Sequence, residues 1–516
     1  MKEAAAMARP IAMLMAMAGL SLGAPLSAAS MAMSGPVVRT DLGRVRGVTL
    51  GRGAAWRGIP FAAPPTGELR WREARPAAPW SDVRDATRFG MDCVQPARDG
   101  RTTHAQGEDC LTLTVITPDR AARDLPVLVS VHGGAFFVGS GRYIADKDLS
   151  PMVARGIILV SANYRLGRLG FFAHPALRAE AGRGTGNFWL SDQIAALRWV
   201  RRNIHAFGGD PARVTILGCS AGGSSVNSLM VAPQARGLFA RASIHSGGGL
   251  FNATRPLARA ESQGLALAAR AGIVGEEAAA LRALRALDPQ SILAADPGPP
   301  DFGAIVDGHF LPEPISSAFA AGRQAPVPMI AGSTSNEASI FGLMGFDATV
   351  LKDRFGIDMA AIRPVYERQG PLPDAEYLRR VQTDFIFTSA ALGMSALAAR
   401  RAPAWAYHFS YVPQEERGRS PGAPHCADMD YLFGLRDMAD PADRHVAETL
   451  RNYWSSFIRT GDPHGPGLPR WPRSGPGILS PMLLANNAAP TQDFERERIM
   501  LWFRKWQQES GAAILP

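Results

Sequence analysis

The sequence predicts a doubly wound α/β fold, a large and mostly parallel sheet flanked by helices, with helical insertions around a pocket. Three observations carry that expectation. Residues 125–131 and 156–162 are short, almost unbroken apolar runs rich in Val and Ile, the pattern of strands buried on both faces of a parallel sheet. Helical patterns lie between such runs, the clearest over 192–207, where Ile194, Leu197, Val200 and Ile204 recur at helical spacing before Gly208-Gly209-Asp210-Pro211 stops the helix. A further strand at 214–217 follows at once.

The other elements follow in chain order. Residues 36–48 alternate apolar and polar around Asp41-Leu42-Gly43, which predicts an opening β-hairpin. Residues 256–295 are rich in Ala, Leu, Arg and Glu with helical periodicity, and 350–400 mix helical stretches with proline breaks. Both are expected as helices over or beside the pocket. In a doubly wound sheet, ligands bind beyond the carboxyl ends of the strands, so function is expected in strand-to-helix loops.

Of 516 residues, 46% are hydrophobic and 20% charged, which supplies a large core and argues against disorder. No low-complexity linker or internal repeat divides the chain, so residues 30–516 are expected to form a single domain. Residues 1–29 have the three parts of a secretory signal peptide: Lys2 and Arg9, an apolar run over 11–22, and small residues at Ser27-Ala28-Ala29. That run is interrupted by Gly19, Gly23 and Pro25 and falls short of the ~20 residues a spanning helix needs. The expectation is a secreted or periplasmic protein without stable membrane insertion.

The formal charge is +9, and losing Lys2, Arg9 and Glu3 with the signal leaves +8. The arginines are scattered, which favours solubility. No basic stripe with interleaved aromatics marks a nucleic-acid partner.

Gly218-Cys219-Ser220-Ala221-Gly222 joins the 214–217 strand to a small-residue helix. A serine on such a sharp strand-turn-helix is a nucleophile elbow, and it needs small neighbours because backbone crowds the turn. A serine nucleophile also needs a base and donors for the developing oxyanion. His132-Gly133-Gly134-Ala135-Phe136 ends the strand at 125–131, so the N–H groups of Gly133 and Gly134, with that of Ala221, are the expected oxyanion hole. H-E-x-x-H and P-loop patterns are absent, and no metal or other cofactor is expected.

These motifs resemble the type-B carboxylesterases, the α/β-hydrolase family that includes para-nitrobenzyl esterases and cholinesterases. The resemblance runs almost end to end. It includes Arg57-Gly58-Ile59-Pro60-Phe61-Ala62, Glu108-Asp109-Cys110-Leu111, Asn163-Tyr164-Arg165, Asp192-Gln193, Ser246-Gly247 and the elbow. It implies an α/β-hydrolase fold and a serine carboxylesterase acting on a small-molecule ester and water. Gly332-Ser333-Thr334-Ser335-Asn336-Glu337-Ala338 is similar to the family's acid stretch, with Ala338 in place of a glycine, and implies Glu337 as the triad acid. Gly422-Ala423-Pro424-His425 implies His425 as the base. The order Ser220, Glu337, His425 agrees with that expected for this fold. Asp428, Ser246 and Asp192 match positions that support the family's triad. The resemblance leaves the physiological ester and the oligomeric state open.

Four cysteines in an exported chain allow two disulfides in three connectivities. The family resemblance implies Cys93 with Cys110. The loop between them has no aromatic residue, unlike the tryptophan-bearing loop of cholinesterases, which disfavours a quaternary-ammonium ester. Cys219 and Cys426 remain, one before the serine and one after the histidine, where the family usually has Glu and Gly. This pair resembles the cysteines flanking Ser and His in tannases and feruloyl esterases. It is expected to form a disulfide, and it raises a specialised hydrolase of aromatic or polyester-like natural products as the alternative. A non-catalytic, cholinesterase-like binding protein would have lost the triad. Phe136, Phe137, Phe341, Phe385 and Phe387 are candidates to line an apolar pocket.

Overall fold

The computed structural model describes residues 35–97, 104–145, 150–248, 254–296 and 303–510. The expected signal segment lies outside them. Gly35–Pro516 forms one compact unit. Its centre is an 11-stranded sheet. In chain order the strands are β1 (Val48–Leu50), β2 (Gly53–Pro60), β3 (Thr112–Thr117), β4 (Leu125–Val131), β5 (Ile158–Ala162) and β6 (Gly209–Cys219), then β7 (Arg241–His245), β8 (Met329–Thr334), β9 (Ala404–Phe409), β10 (Met482–Leu484) and β11 (Ala488–Pro490).

Across the sheet the order is β1-β2-β3-β5-β4-β6-β7-β8-β9-β10-β11. Every neighbour from β5 through β10 pairs parallel, while β1, β2, β3 and β11 pair antiparallel at the two edges. The central strands are buried along nearly their whole length, polar residues such as Ser243, Ser333 and His408 included. Every residue of β8 and β9 is buried. The chain adds β5 on one side of β4 and then returns to add β6 on the other. The crevice beyond the carboxyl ends of β4 and β6 is therefore a topological switch point, where an open α/β sheet binds ligands.

The opening hairpin pairs Val37–Arg39 with Arg44–Arg46. It joins a separate three-stranded sheet with Val83–Asp85 instead of the central one. Helix α1 (Phe188–Asn203) begins before the residues at which its periodicity is legible, and a 3-10 turn continues it to Phe207. Its first residues, Phe188 to Gln193, are all buried, so no polar stripe marks that end. The 256–295 segment forms helices Leu257–Arg270, Ala278–Ala286 and Pro289–Ala294. Helices Asp374–Thr383 and Ser389–Ala398 bracket a π-helical turn, Asp384–Thr388. That turn faces the site, since the Phe387 ring lies 5.0 Å from that of His425. Among the described residues no helix is long and apolar enough to cross a membrane.

Candidate active site

Ser220 stands between β6 and helix α2 (Ala221–Val231) with φ 60° and ψ −125°. Such a conformation costs a non-glycine residue about 1–3 kcal/mol, so its surroundings must impose it. The Ser220 N–H donates to the His245 carbonyl at 3.0 Å, and the Ser224 N–H donates to the Ser220 carbonyl at 2.9 Å. Small neighbours are needed because two backbones meet here. A Cβ on Gly222 would stand 2.2 Å from the Val131 carbonyl oxygen.

Beyond Val131 the chain turns sharply, with Ala135 and Phe136 at φ 53° and 61°. The N–H groups of Phe137 and Val138 both donate to the Gly134 carbonyl at 2.9 Å. A Cβ on Gly133 would lie 3.4 Å from the Ser220 Cβ, so the backbone of this turn abuts the serine. The N–H groups of Gly133, Gly134 and Ala221 have no hydrogen-bond partner among the described residues. His132 anchors the start of the turn: its ring stacks on Tyr164 at 4.3 Å, and its Nδ1 lies 2.9 Å from the Gly133 carbonyl oxygen. Burial pushes the His132 pKa down to about 4, so the ring is neutral at pH 7. Cys93 and Cys110 form a disulfide with Cα atoms 5.0 Å apart. Gln95, beside that bridge, accepts from the Gly139 N–H at 2.8 Å and donates to the Gly139 carbonyl at 3.0 Å, fastening the far end of the turn.

Glu337 follows β8 and is fully buried. Its Oε1 accepts from the Thr334 N–H at 2.6 Å and from the Ser246 hydroxyl at 2.7 Å. Its Oε2 is hydrogen-bonded to Nδ1 of His425. The His425 N–H donates to Ser339 Oγ at 2.9 Å. With Nδ1 committed to the carboxylate, Nε2 is the remaining ring nitrogen. It is buried and has no hydrogen-bond partner among the described residues. Cys219 and Cys426 form a disulfide across 207 positions, with Cα atoms 6.1 Å apart. The strand that delivers Ser220 and the loop that delivers His425 are therefore covalently tied.

Of the three expected supports, Ser246 reaches the acid directly. Asp428 does not touch His425. It sits on helix α3 (Ala427–Phe433), and its Oδ2 is 2.6 Å from His245 Nδ1 and accepts from the Tyr407 hydroxyl at 2.5 Å. Burial alone would raise the Asp428 pKa, but the His245 charge and the hydrogen bonds from His245 and Tyr407 hold it below the usual range. Asp192 is also turned elsewhere, into a buried bidentate pair with Arg165 at 2.6 and 2.8 Å.

His245 is the residue that sequence reasoning missed. Its ring binds Asp428 on the helix that follows His425, its carbonyl holds Ser220, and the next residue, Ser246, holds Glu337. One dipeptide thus touches all three candidate segments. No motif flagged it, because the contacts come from β7 lying between β6 and β8 in the sheet.

The five phenylalanines divide. Phe387 lies against His425, and its ring is 6.0 Å from that of Phe341. Phe137 is half-buried beside the glycine turn. Phe385 is core instead of pocket: it is fully buried, with ring neighbours Phe355 at 5.2 Å and Trp502 at 5.0 Å. Phe136 also packs inward, on Phe171 at 4.9 Å and Trp189 at 5.0 Å.

The strand order, with a strained serine leaving β6 at the switch point, defines an α/β-hydrolase. The chain belongs to the carboxylesterase family, whose model matches residues 34–502. It is 32% identical to the para-nitrobenzyl esterase of Bacillus subtilis (strain 168) over 90% of this chain and 98% of that protein. It is 34% identical to the fumonisin B1 esterase of Sphingopyxis macrogoltabida over 85% of this chain and 84% of that one. Among solved structures, a PNB esterase superposes with a TM-score of 0.79 at 30% identity, covering 90% of this chain and all of its own. The chain is a carboxylic ester hydrolase, and acyl-enzyme chemistry on serine is general to its family.

Proposed function

We propose that Ser220 is the nucleophile, His425 the general base and Glu337 the acid that orients it, with the Gly133, Gly134 and Ala221 N–H groups as the oxyanion hole. The observation that carries this reading is the His425 ring, fixed by Glu337 through Nδ1, with Nε2 unpartnered and its loop bonded to the residue before Ser220. In the reaction, Nε2 takes the Ser220 proton as Oγ attacks the ester carbonyl. The three N–H groups receive the negative charge of the tetrahedral intermediate, and Nε2 returns the proton to the leaving alkoxide. Water activated at Nε2 then cleaves the acyl-enzyme. Buried Glu337 stabilises the imidazolium at each step.

The test is single replacement of each member, Ser220→Ala, Glu337→Gln and His425→Ala, assayed with a para-nitrophenyl ester. Each should lower kcat by at least about a thousandfold, and pairs of replacements should cost little more than one. A variant within about tenfold of the parent would remove that residue from the triad.

The aromatic wall of Phe341 and Phe387 next to His425 favours esters with an apolar or aryl acyl or alcohol group lying against it. Such substrates include the aromatic natural-product esters raised by the cysteine pair. We place the mature protein in the periplasm or outside the cell, with residues 1–29 removed, because two disulfides persist in oxidising compartments. Mass spectrometry of the mature N-terminus tests this: a chain retaining Met1 in the cytoplasm contradicts it.

A further inference from the structure

We infer that opening the Cys219–Cys426 disulfide converts the active site into a binding site for zinc or a similar thiophilic divalent cation, which then captures the histidine that catalysis requires. The inference rests on the assignment of His425 as base.

Three observations meet at one point. The two sulfurs and a ring nitrogen of His425 all lie within 4.8 Å of one another. The His425 Nε2 is buried without a hydrogen-bond partner among the described residues, while Glu337 binds Nδ1. A carboxylate on the far nitrogen is the outer-shell arrangement that fixes the tautomer and raises the basicity of a metal-binding histidine. Finally, the Cα atoms of the two cysteines are 6.1 Å apart. Tetrahedral zinc with bonds of about 2.3 Å to sulfur needs its two sulfurs only about 3.8 Å from each other, a span this separation supplies without backbone movement. Two cysteines, one histidine and an open fourth position form a zinc coordination set known from catalytic centres.

In the oxidised protein each sulfur is bonded to the other, and neither is a thiolate ligand. Two equivalents of a small-molecule thiol reduce the bridge to two cysteine thiols and leave as their own disulfide. A divalent zinc ion then displaces the two thiol protons and binds both thiolates and Nε2. The imidazole can no longer accept the Ser220 proton. On this account the bridge does more than hold two loops in register: it keeps a soft-metal trap closed beside the nucleophile.

The experiment uses the purified protein, oxidised or reduced with a phosphine, which binds zinc weakly. It is titrated with cobalt(II) as a spectroscopic substitute and with zinc in an ester assay. The reduced protein should bind one cobalt ion per chain with thiolate-to-metal absorption, and the oxidised protein none. One equivalent of zinc should lower turnover of the reduced protein by at least about a hundredfold, and a chelator should restore it. Cys219→Ala with Cys426→Ala, which keeps the other cysteine pair, should lose both effects. His425→Ala, which keeps both thiols, should weaken cobalt binding by at least about tenfold, the least expected even for losing an outer-shell partner. Equal metal binding by oxidised and reduced protein, or binding that survives in the double-cysteine variant, would overturn the inference. Stoichiometric thiolate-bound cobalt with turnover unaffected by zinc would uphold the metal site and count against His425 as the base.

Discussion

Asp428→Asn keeps the volume of the side chain and removes the charge facing His245. Both side chains are 1% exposed, so no water compensates the loss. The carboxylate Oδ2 receives the Tyr407 hydroxyl at 2.5 Å and meets His245 Nδ1 at 2.6 Å. Removing one partner of a buried pair costs about 3–5 kcal/mol. A carboxamide retains one acceptor, so the loss should fall near the lower end, about 3 kcal/mol. Catalysis should fall as well, because the His245 carbonyl and the Ser246 hydroxyl hold Ser220 and Glu337 in place. A loss of alignment equivalent to about 1.4 kcal/mol lowers kcat about tenfold. The assay is guanidinium unfolding together with steady-state ester hydrolysis, run as a double-mutant cycle with His245→Gln. The pair should couple by more than about 1 kcal/mol in stability, and the double variant should be less impaired in kcat than the two single effects predict. Additivity within about 0.5 kcal/mol would refute the reasoning, because it would mean that Asp428 acts independently of His245.

Two further outcomes follow from the site. Phe387→Ala and Phe385→Ala should each cost about 3–5 kcal/mol, since both rings are buried in the core, but only Phe387→Ala should raise KM for aryl esters; kinetics on both variants separate the residue beside His425 from the one packed on Trp502. Stability should also fall in mild acid through His132. Its folded-state pKa, lowered by burial to about 4, lies below the unfolded value, so its contribution is complete above about 6.5 and is lost as pH falls toward 4. The loss is roughly 3 kcal/mol. The gap between urea midpoints at pH 7 and pH 4.5 should therefore narrow in His132→Asn without closing, because burial also pushes the His408 pKa down, to about 3; an unchanged pH slope would contradict this reading.

What the sequence made legible was chemistry set by short local rules. The serine elbow, the glycine turn and the buried strands each need particular residue types at fixed spacing, so Ser220, Gly133 and β4 stand where expected. What stayed hidden depends on which elements become neighbours across the sheet. Asp428 is adjacent in sequence to the histidine segment, yet its partner is His245, brought to it by the position of β7. Phe385 and Phe387 are two residues apart, a spacing that says little about direction inside a π-helical turn. One packs on Trp502 and the other on His425. The start of α1 was obscured because burial on every side removes the periodicity by which a helix is read.

The central claim is that Ser220 is the nucleophile that carries the acyl group. Its most direct test is labelling with an organophosphonate, which traps an activated serine as a covalent adduct, followed by intact-mass analysis and peptide mapping. The account predicts one adduct per chain, on Ser220, formed in step with loss of ester turnover, and none in Ser220→Ala. An adduct on any other residue, or full turnover in protein stoichiometrically labelled at Ser220, would contradict it.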